Sequence, residues 1–138
     1  MADTVLDTSA FLALLEQEPG ADEVKRHIAA AIEGLAALHA SFVSLTEVEY
    51  ISTQERGQEI ADARIADLRA MPIRWHHSDG AMCSAAAKLK AAHKLSFADS
   101  FVVALAQRLD ATLVHKDPEM EALGAVVKQE MLPPKTGQ

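Results

Sequence analysis

The chain has 138 residues, 49% of them apolar and 24% charged, which describes one globular domain long enough to bury a core. Twenty acidic residues against 13 basic ones leave a net charge of −7, which argues against a surface that holds nucleic acid everywhere through Lys and Arg, although not against a local site. No run reaches the ~18–20 apolar residues of a membrane span, MADTVLDTSAF lacks the marks of a secretory signal, and the lone Cys83 has no intrachain disulfide partner, which fits a reducing compartment.

Thr4 to Asp7 reads as a short buried strand. Ser9 to Gln17 repeats apolar residues at helical spacing (Phe11, Leu14, Leu15) until Pro19-Gly20 breaks it. Ala21 to Leu38 predicts a second helix with Val24, Ile28, Ile32 and Leu35 on one face. Ser41 to Ser44 is the second strand, and SLTEVEYISTQ starts the next helix. Gln58 to Ala70 is amphipathic, with Ile60, Ile65 and Leu68 between charges, and Pro72 ends it. Ile73 to His77 is the third strand, and Ser78 caps an alanine-rich helix to His93. Ser96 caps another helix, whose core stripe is Phe97, Phe101, Leu105 and Leu109. Ala111 to His115 is a fourth strand, Asp117-Pro118 opens a short helix, and Ala125 to Lys128 is a fifth strand. Strands alternating with helices imply a mostly parallel five-stranded sheet covered on both faces. The polar, proline-bearing PPKTGQ reads as a frayed tail, giving one domain over 1–132 and a flexible 133–138.

Four acids stand out: Asp7, Glu47, Asp99 and Asp117. Each has a structural explanation. Ser44-x-x-Glu47 matches a capping box and Ser96-x-x-Asp99 is its shorter-armed analogue. Asp117 before Pro118 is a natural N-cap, and Asp7, Thr8 or Ser9 could cap the first helix. Taken singly, each acid is as readily a cap as a ligand. As a set they say more. Asp7, Glu47 and Asp117 follow strands one, two and four, at the carboxyl edge where open α/β sheets bind ligands. Asp99 lies about 120° round the helical wheel from its own apolar stripe, which turns it away from the core. Two carboxylates about 4 Å apart repel by ~1 kcal/mol in water and by ~4 kcal/mol at an effective dielectric of about 20. Four together either take up protons or hold a hard divalent cation, and carboxylates with phosphate oxygens and water make a typical Mg²⁺ environment.

These motifs resemble those of the PIN-domain ribonucleases, above all the toxins of the VapBC toxin–antitoxin type. The likeness runs from VLDTSAF to VVKQEML, through S-x-x-E, LSFADSFVVALA and the strand leading to KDPEM. It implies a three-layer α/β/α fold and a Mg²⁺-dependent (or Mn²⁺-dependent) endoribonuclease. In that reading Asp7, Glu47, Asp99 and Asp117 are both metal ligands and catalytic residues, and Ser9 supplies a supporting hydroxyl. It further implies single-stranded or looped RNA as substrate, a VapB-like antitoxin partner, a homodimer and a cytoplasmic location. His115 stands where the family commonly has a small hydroxyl residue, and His115 with Lys116 is placed to touch RNA phosphate. Phe11, Leu14 and Leu15 offer the antitoxin a surface, although for any one of them packing on the sheet is the stronger reading. A structure-specific DNA nuclease and a non-cutting PIN-like binding module are the alternatives.

Other groups have simpler readings. Glu49, Glu119 and Asp79 are surface or capping acids, and His76-His77 is a solvent-exposed pair at a strand end. Cys83 is a packed thiol, and Lys88, Lys90 and Lys94 form a solvated helix face. No phosphate loop, nucleophile elbow or dinucleotide fingerprint is present.

Overall fold

Buried strands that face helices on both sides must be apolar in both directions, and the central strands here obey that rule. The computed structural model describes residues 3–134. In chain order the elements are β1 (Thr4–Leu6), α1 (Thr8–Leu15), α2 (Ala21–Ile32), β2 (Leu38–Ser41), α3 (Phe42–Arg56), α4 (Gln58–Ala70), β3 (Ile73–His76), α5 (Gly80–Ala92), α6 (Phe97–Leu109), β4 (Thr112–His115), a 3₁₀ helix (Pro118–Leu123) and β5 (Gln129–Met131). The five strands form one sheet in the order β3-β2-β1-β4-β5, and every pair is parallel. Of the tail expected from 133, residues 135–138 lie outside the described residues.

The pleat sends alternate residues to opposite layers. Val5 and Leu113 join Val102, Leu105 and Met82 on the α5–α6 side. Leu6 and Val114 join Phe11, Val24, Val48 and Leu68 on the side of α1 to α4. Each such fully buried side chain contributes about 1.5–3 kcal/mol, so both layers are held firmly to the sheet. β1 lies at the centre, with the β1–β2–β3 run on one side and β4–β5 on the other. The connection therefore reverses direction between β1 and β4. That crevice is the switch point where open α/β sheets take their ligands.

Several boundaries differ from the sequence reading. The second helix stops at Ile32 instead of Leu38. Gly34 adopts φ 75°, while Leu35 N–H donates to Ala30 O and Gly34 N–H to Ala31 O. This is a Schellman stop, which a left-handed glycine provides. It leaves Ile32 69% exposed and Leu35 in water, so neither belongs to a core face. The second strand consequently begins and ends three residues early, and Ser41 caps α3. The fifth strand is Gln129–Met131, because Ala125 to Val127 continue the turn after the 3₁₀ helix, with Val126 N–H donating to Leu123 O. Asp79, not Ser78, caps α5 by accepting from Met82 N–H at 2.7 Å.

The α6 stripe also needs correcting. Ser100 to Ala106 are buried all round, as expected of a helix wedged between the sheet and α5, whereas Phe97 is 69% exposed. Cys83 is an exposed thiol. Among the described residues no helix is long and apolar enough to cross a membrane.

Candidate active site

Asp7 terminates β1 and caps α1. Its Oδ2 accepts from Ser9 N–H at 3.1 Å and from Ser9 Oγ–H at 2.5 Å. Ser9 Oγ in turn accepts from Lys116 N–H at 2.9 Å, which ties the end of β1 to the end of β4. The arrangement fixes Oδ2 and leaves Oδ1 buried with no hydrogen-bond partner. Asp7 is only 3% exposed, and its carboxyl is pushed above the ordinary aspartate range. Burial is the main cause and the Glu47 charge adds to it, while the Ser9 bonds and His115 oppose it.

Glu47 does not sit in a capping box. Ser44 lies inside α3, where it is fully buried, and Glu47 comes almost two turns into that helix. The Thr8 hydroxyl lies 2.6 Å from Glu47 Oε1 and 2.9 Å from Ser44 Oγ. A hydroxyl has one proton and an ionised carboxylate can only accept, so Thr8 donates to Glu47 and Ser44 completes the chain. Burial raises the Glu47 pKa, the Thr8 hydrogen bond lowers it, and the Asp99 charge raises it again.

Asp99 occupies the first turn of α6, where its own N–H donates to Ser96 Oγ at 3.0 Å. Its side chain is half-buried, and its pKa is pushed up to about 6 by burial, by the charge of Asp7 and by that of Asp117, against a lowering bond from Ser96 and the nearby His115 ring. Asp117 caps the 3₁₀ helix by accepting from Glu119 N–H at 2.9 Å. The capping readings of Asp7 and Asp117 therefore hold, and they are compatible with a second role, since a capping carboxylate has two oxygens.

The mutual charge effects join the set: Asp7 feels Glu47, Glu47 feels Asp99, and Asp99 feels Asp7 and Asp117. The acids from four separate chain segments thus share one region at the switch point. They do not close into a finished shell, since among the described residues no group of three His, Cys, Asp or Glu stands ready to hold a metal. The donors are nevertheless hard oxygens, and Asp7 Oδ1 is a buried carboxyl oxygen without a hydrogen-bond partner. This set fits a small hard divalent cation held partly through water.

Two basic residues expected to meet phosphate do something else. His115 is fully buried. Its Nδ1 accepts from Asp117 N–H at 3.1 Å, so the proton sits on Nε2, which faces Gln129 Oε1 at 2.7 Å. Lys116 is nearly buried, with Nζ 2.6 Å from Pro19 O and 3.6 Å from Glu18. Both residues brace the site from behind. His76 is also engaged: its Nε2 lies 2.8 Å from Nδ1 of the buried His39, while His77 is exposed and stacks on Phe42. Asp79 pairs with Arg108, in keeping with its capping role. Phe11 is core and stacks on Trp75, so it offers no partner surface, and Leu14 and Leu15 are half-buried against the same cluster.

The sequence reading took Thr8 and Ser44 only as capping residues and missed their bonds beside Glu47. Asp7-Thr8-Ser9 places two hydroxyls beside an acid, but only the packing of α1 on α3 reveals which acid each one serves.

An all-parallel α/β domain with acids gathered at its switch point presents a cluster of hard oxygens at the carboxyl edge of its sheet. The family model of the PIN domain matches residues 4–126, and the chain belongs to that family. No curated protein matches the sequence. Solved structures show the same fold at low identity. VapBC2 from Rickettsia felis, bound to a DNA fragment from its promoter, matches at 13% identity with TM-score 0.77, covering 95% of this chain and 99% of the other. DNA-bound VapBC from Salmonella typhimurium matches at 15% and TM-score 0.76, covering 95% and 98%. Mycobacterium tuberculosis VapC20, a sarcin–ricin-loop-cleaving toxin, matches at 18% and TM-score 0.71, covering 88% and 95%.

Proposed function

We propose that this PIN domain is a divalent-cation-dependent endoribonuclease and the toxin of a toxin–antitoxin pair. The observation that carries the reading is the coupled acid set around the partnerless Asp7 Oδ1. The similarity to VapBC complexes and to an RNA-loop-cleaving toxin supports the same direction.

Asp7, Glu47, Asp99 and Asp117 would hold the ion, directly or through water, with Mg²⁺ or Mn²⁺ as its identity. When bound, such an ion stabilises charge on phosphate oxygens and makes a water more acidic. The protein's share is placement. Ser9 locks one oxygen of Asp7 and leaves the other free. Thr8 holds Glu47 from the neighbouring helix. His115 fixes the backbone at Asp117. Hydrolysis joins a water oxygen to phosphorus and breaks one phosphorus–ribose oxygen bond. One water proton ends on the leaving alcohol, and the other ionises from the new phosphate. Unpaired RNA suits a shallow cleft because its phosphate and bases are accessible. A VapB-like antitoxin, a homodimer and residence in the cytoplasm complete the proposal.

The test is cleavage of matched RNA and DNA stem-loops by purified protein with Mg²⁺. RNA cleavage that disappears in Asp7→Asn is expected. Equal cleavage by variant and parent, or cleavage of the DNA alone, would refute the assignment.

A further inference from the structure

Beside the acids lies an open groove of about 470 Å³ that no step above uses. Phe42, Thr46, Tyr50, Ser96 and Phe97 line it, together with Glu47. Phe97 is 69% exposed and Tyr50 47% exposed. Folding alone does not account for Phe97. It is the first residue of α6, and its ring meets Phe101 edge-on at 5.3 Å while most of its surface faces water. Phe101 is braced in turn by Phe42 at 5.5 Å, so the exposed ring rests on a rigid aromatic base.

We propose that this groove is a stacking subsite for an unpaired nucleobase next to the phosphate being cut, with Phe97 as its platform and Tyr50 as a second contact. The inference rests on the ribonuclease reading and deepens it. Continuity is the first argument: Glu47 belongs to the groove and to the acid set, and Phe97 lies two residues from Asp99. A nucleotide whose phosphate approached the acids would bring its base here. Charge is the second argument. The lining contains no Lys or Arg and one carboxylate, so the sugar–phosphate chain is a poor occupant and a neutral flat ring is a good one. A second copy of the chain fits less well. In a two-fold contact the same patch meets itself, which would bring like carboxylates together in a desolvated interface. Exposed aromatic rings beside a cleavage site are how single-stranded nucleic acid is gripped with little sequence preference.

The test uses a short single-stranded oligoadenylate carrying one 2-aminopurine, with the protein in Ca²⁺ and, separately, in Mg²⁺. Stacking quenches the reporter. Phe97→Ala is expected to weaken binding about tenfold, or about 1.4 kcal/mol, with Phe97→Trp retaining it. Phe97→Leu separates stacking from apolar area: it is expected to behave as Phe97→Ala does. Circular dichroism checks the fold of each variant. Wild-type affinity in Phe97→Leu would overturn the platform, as would absence of quenching by the parent in both metals. A change from dimer to monomer in Phe97→Ala, with unchanged affinity per site, would assign the groove to self-association and also overturn it. Cleavage of the RNA stem-loop is scored separately. Quenching without cleavage supports the platform and sinks the hydrolase reading, whereas cleavage with quenching unaffected by Phe97→Ala does the reverse.

Discussion

Replacing Asp99 by Asn removes one charge from the acid set and keeps the shape of the side chain. The Asp99 carboxyl titrates near 6 in the folded chain, against an ordinary value of 3.8. A rise of about two units would be roughly 3 kcal/mol for a fully buried group, and solvent screening at this half-exposed side chain reduces the folding free energy opposed by ionisation to about 2 kcal/mol. Because the folded value is the higher one, the folded state holds the proton more tightly. The cost is absent at pH below the unfolded value and develops fully as pH rises through the folded one. Asn escapes it, but forgoes the 0.3–1 kcal/mol that an acid gains in a helix first turn and still buries a polar amide. A net gain of about 1–2 kcal/mol is therefore expected for Asp99→Asn near pH 7.5 without metal, vanishing towards about pH 4. The Ser96 cap survives, since the Asp99 backbone N–H makes that bond. Urea unfolding in EDTA, followed by circular dichroism at several pH values, measures the difference. A loss of about 0.5–1 kcal/mol near neutral pH would mean that Asp99 serves chiefly as a helix-end charge, and would refute the coupling between the acids.

Other consequences follow from the supports around the site. Thr8→Val cuts the bonds to Glu47 and Ser44 at nearly constant volume, with an expected cost of about 1–3 kcal/mol in thermal unfolding and a weaker cation response. His115→Leu leaves the half-buried Asp117 N–H without its acceptor and should cost about 1–2 kcal/mol along with activity. His115→Asn, which supplies an acceptor oxygen, should recover part of the activity; equal activity in both variants would show that the bond does not position Asp117. The exposed Cys83 should react fully with a thiol reagent in the native state, and protection until unfolding would contradict its placement on the outer face of α5.

The site was legible where its cause is local. Asp7, Ser9 and Asp117 sit at strand ends or helix starts that a few neighbouring residues dictate, and the Ser96 cap fixes Asp99 within one turn. Glu47 was visible as an acid after the second strand, but its place inside α3 was not, because the left-handed turn at Gly34 shifts that strand upstream. Thr8, Ser44 and His115 act across helices and strands distant in sequence, where periodicity carries no information. A histidine in an acidic neighbourhood reads as a phosphate contact, and only its burial under β4 and β5 shows it holding the backbone instead. Apolar spacing likewise placed Phe97 in the core, although a residue at the first turn of a helix lies at the rim of the layer.

Isothermal titration with Mg²⁺ or Mn²⁺ probes the proposed cation site most directly, using the parent protein beside Asp7→Asn, Glu47→Gln, Asp99→Asn and Asp117→Asn. One site in the parent, weakened about tenfold or more (about 1.4 kcal/mol) by each single substitution, is the predicted result. Absence of binding in the parent, or affinity unmoved by any of the four changes, would contradict it.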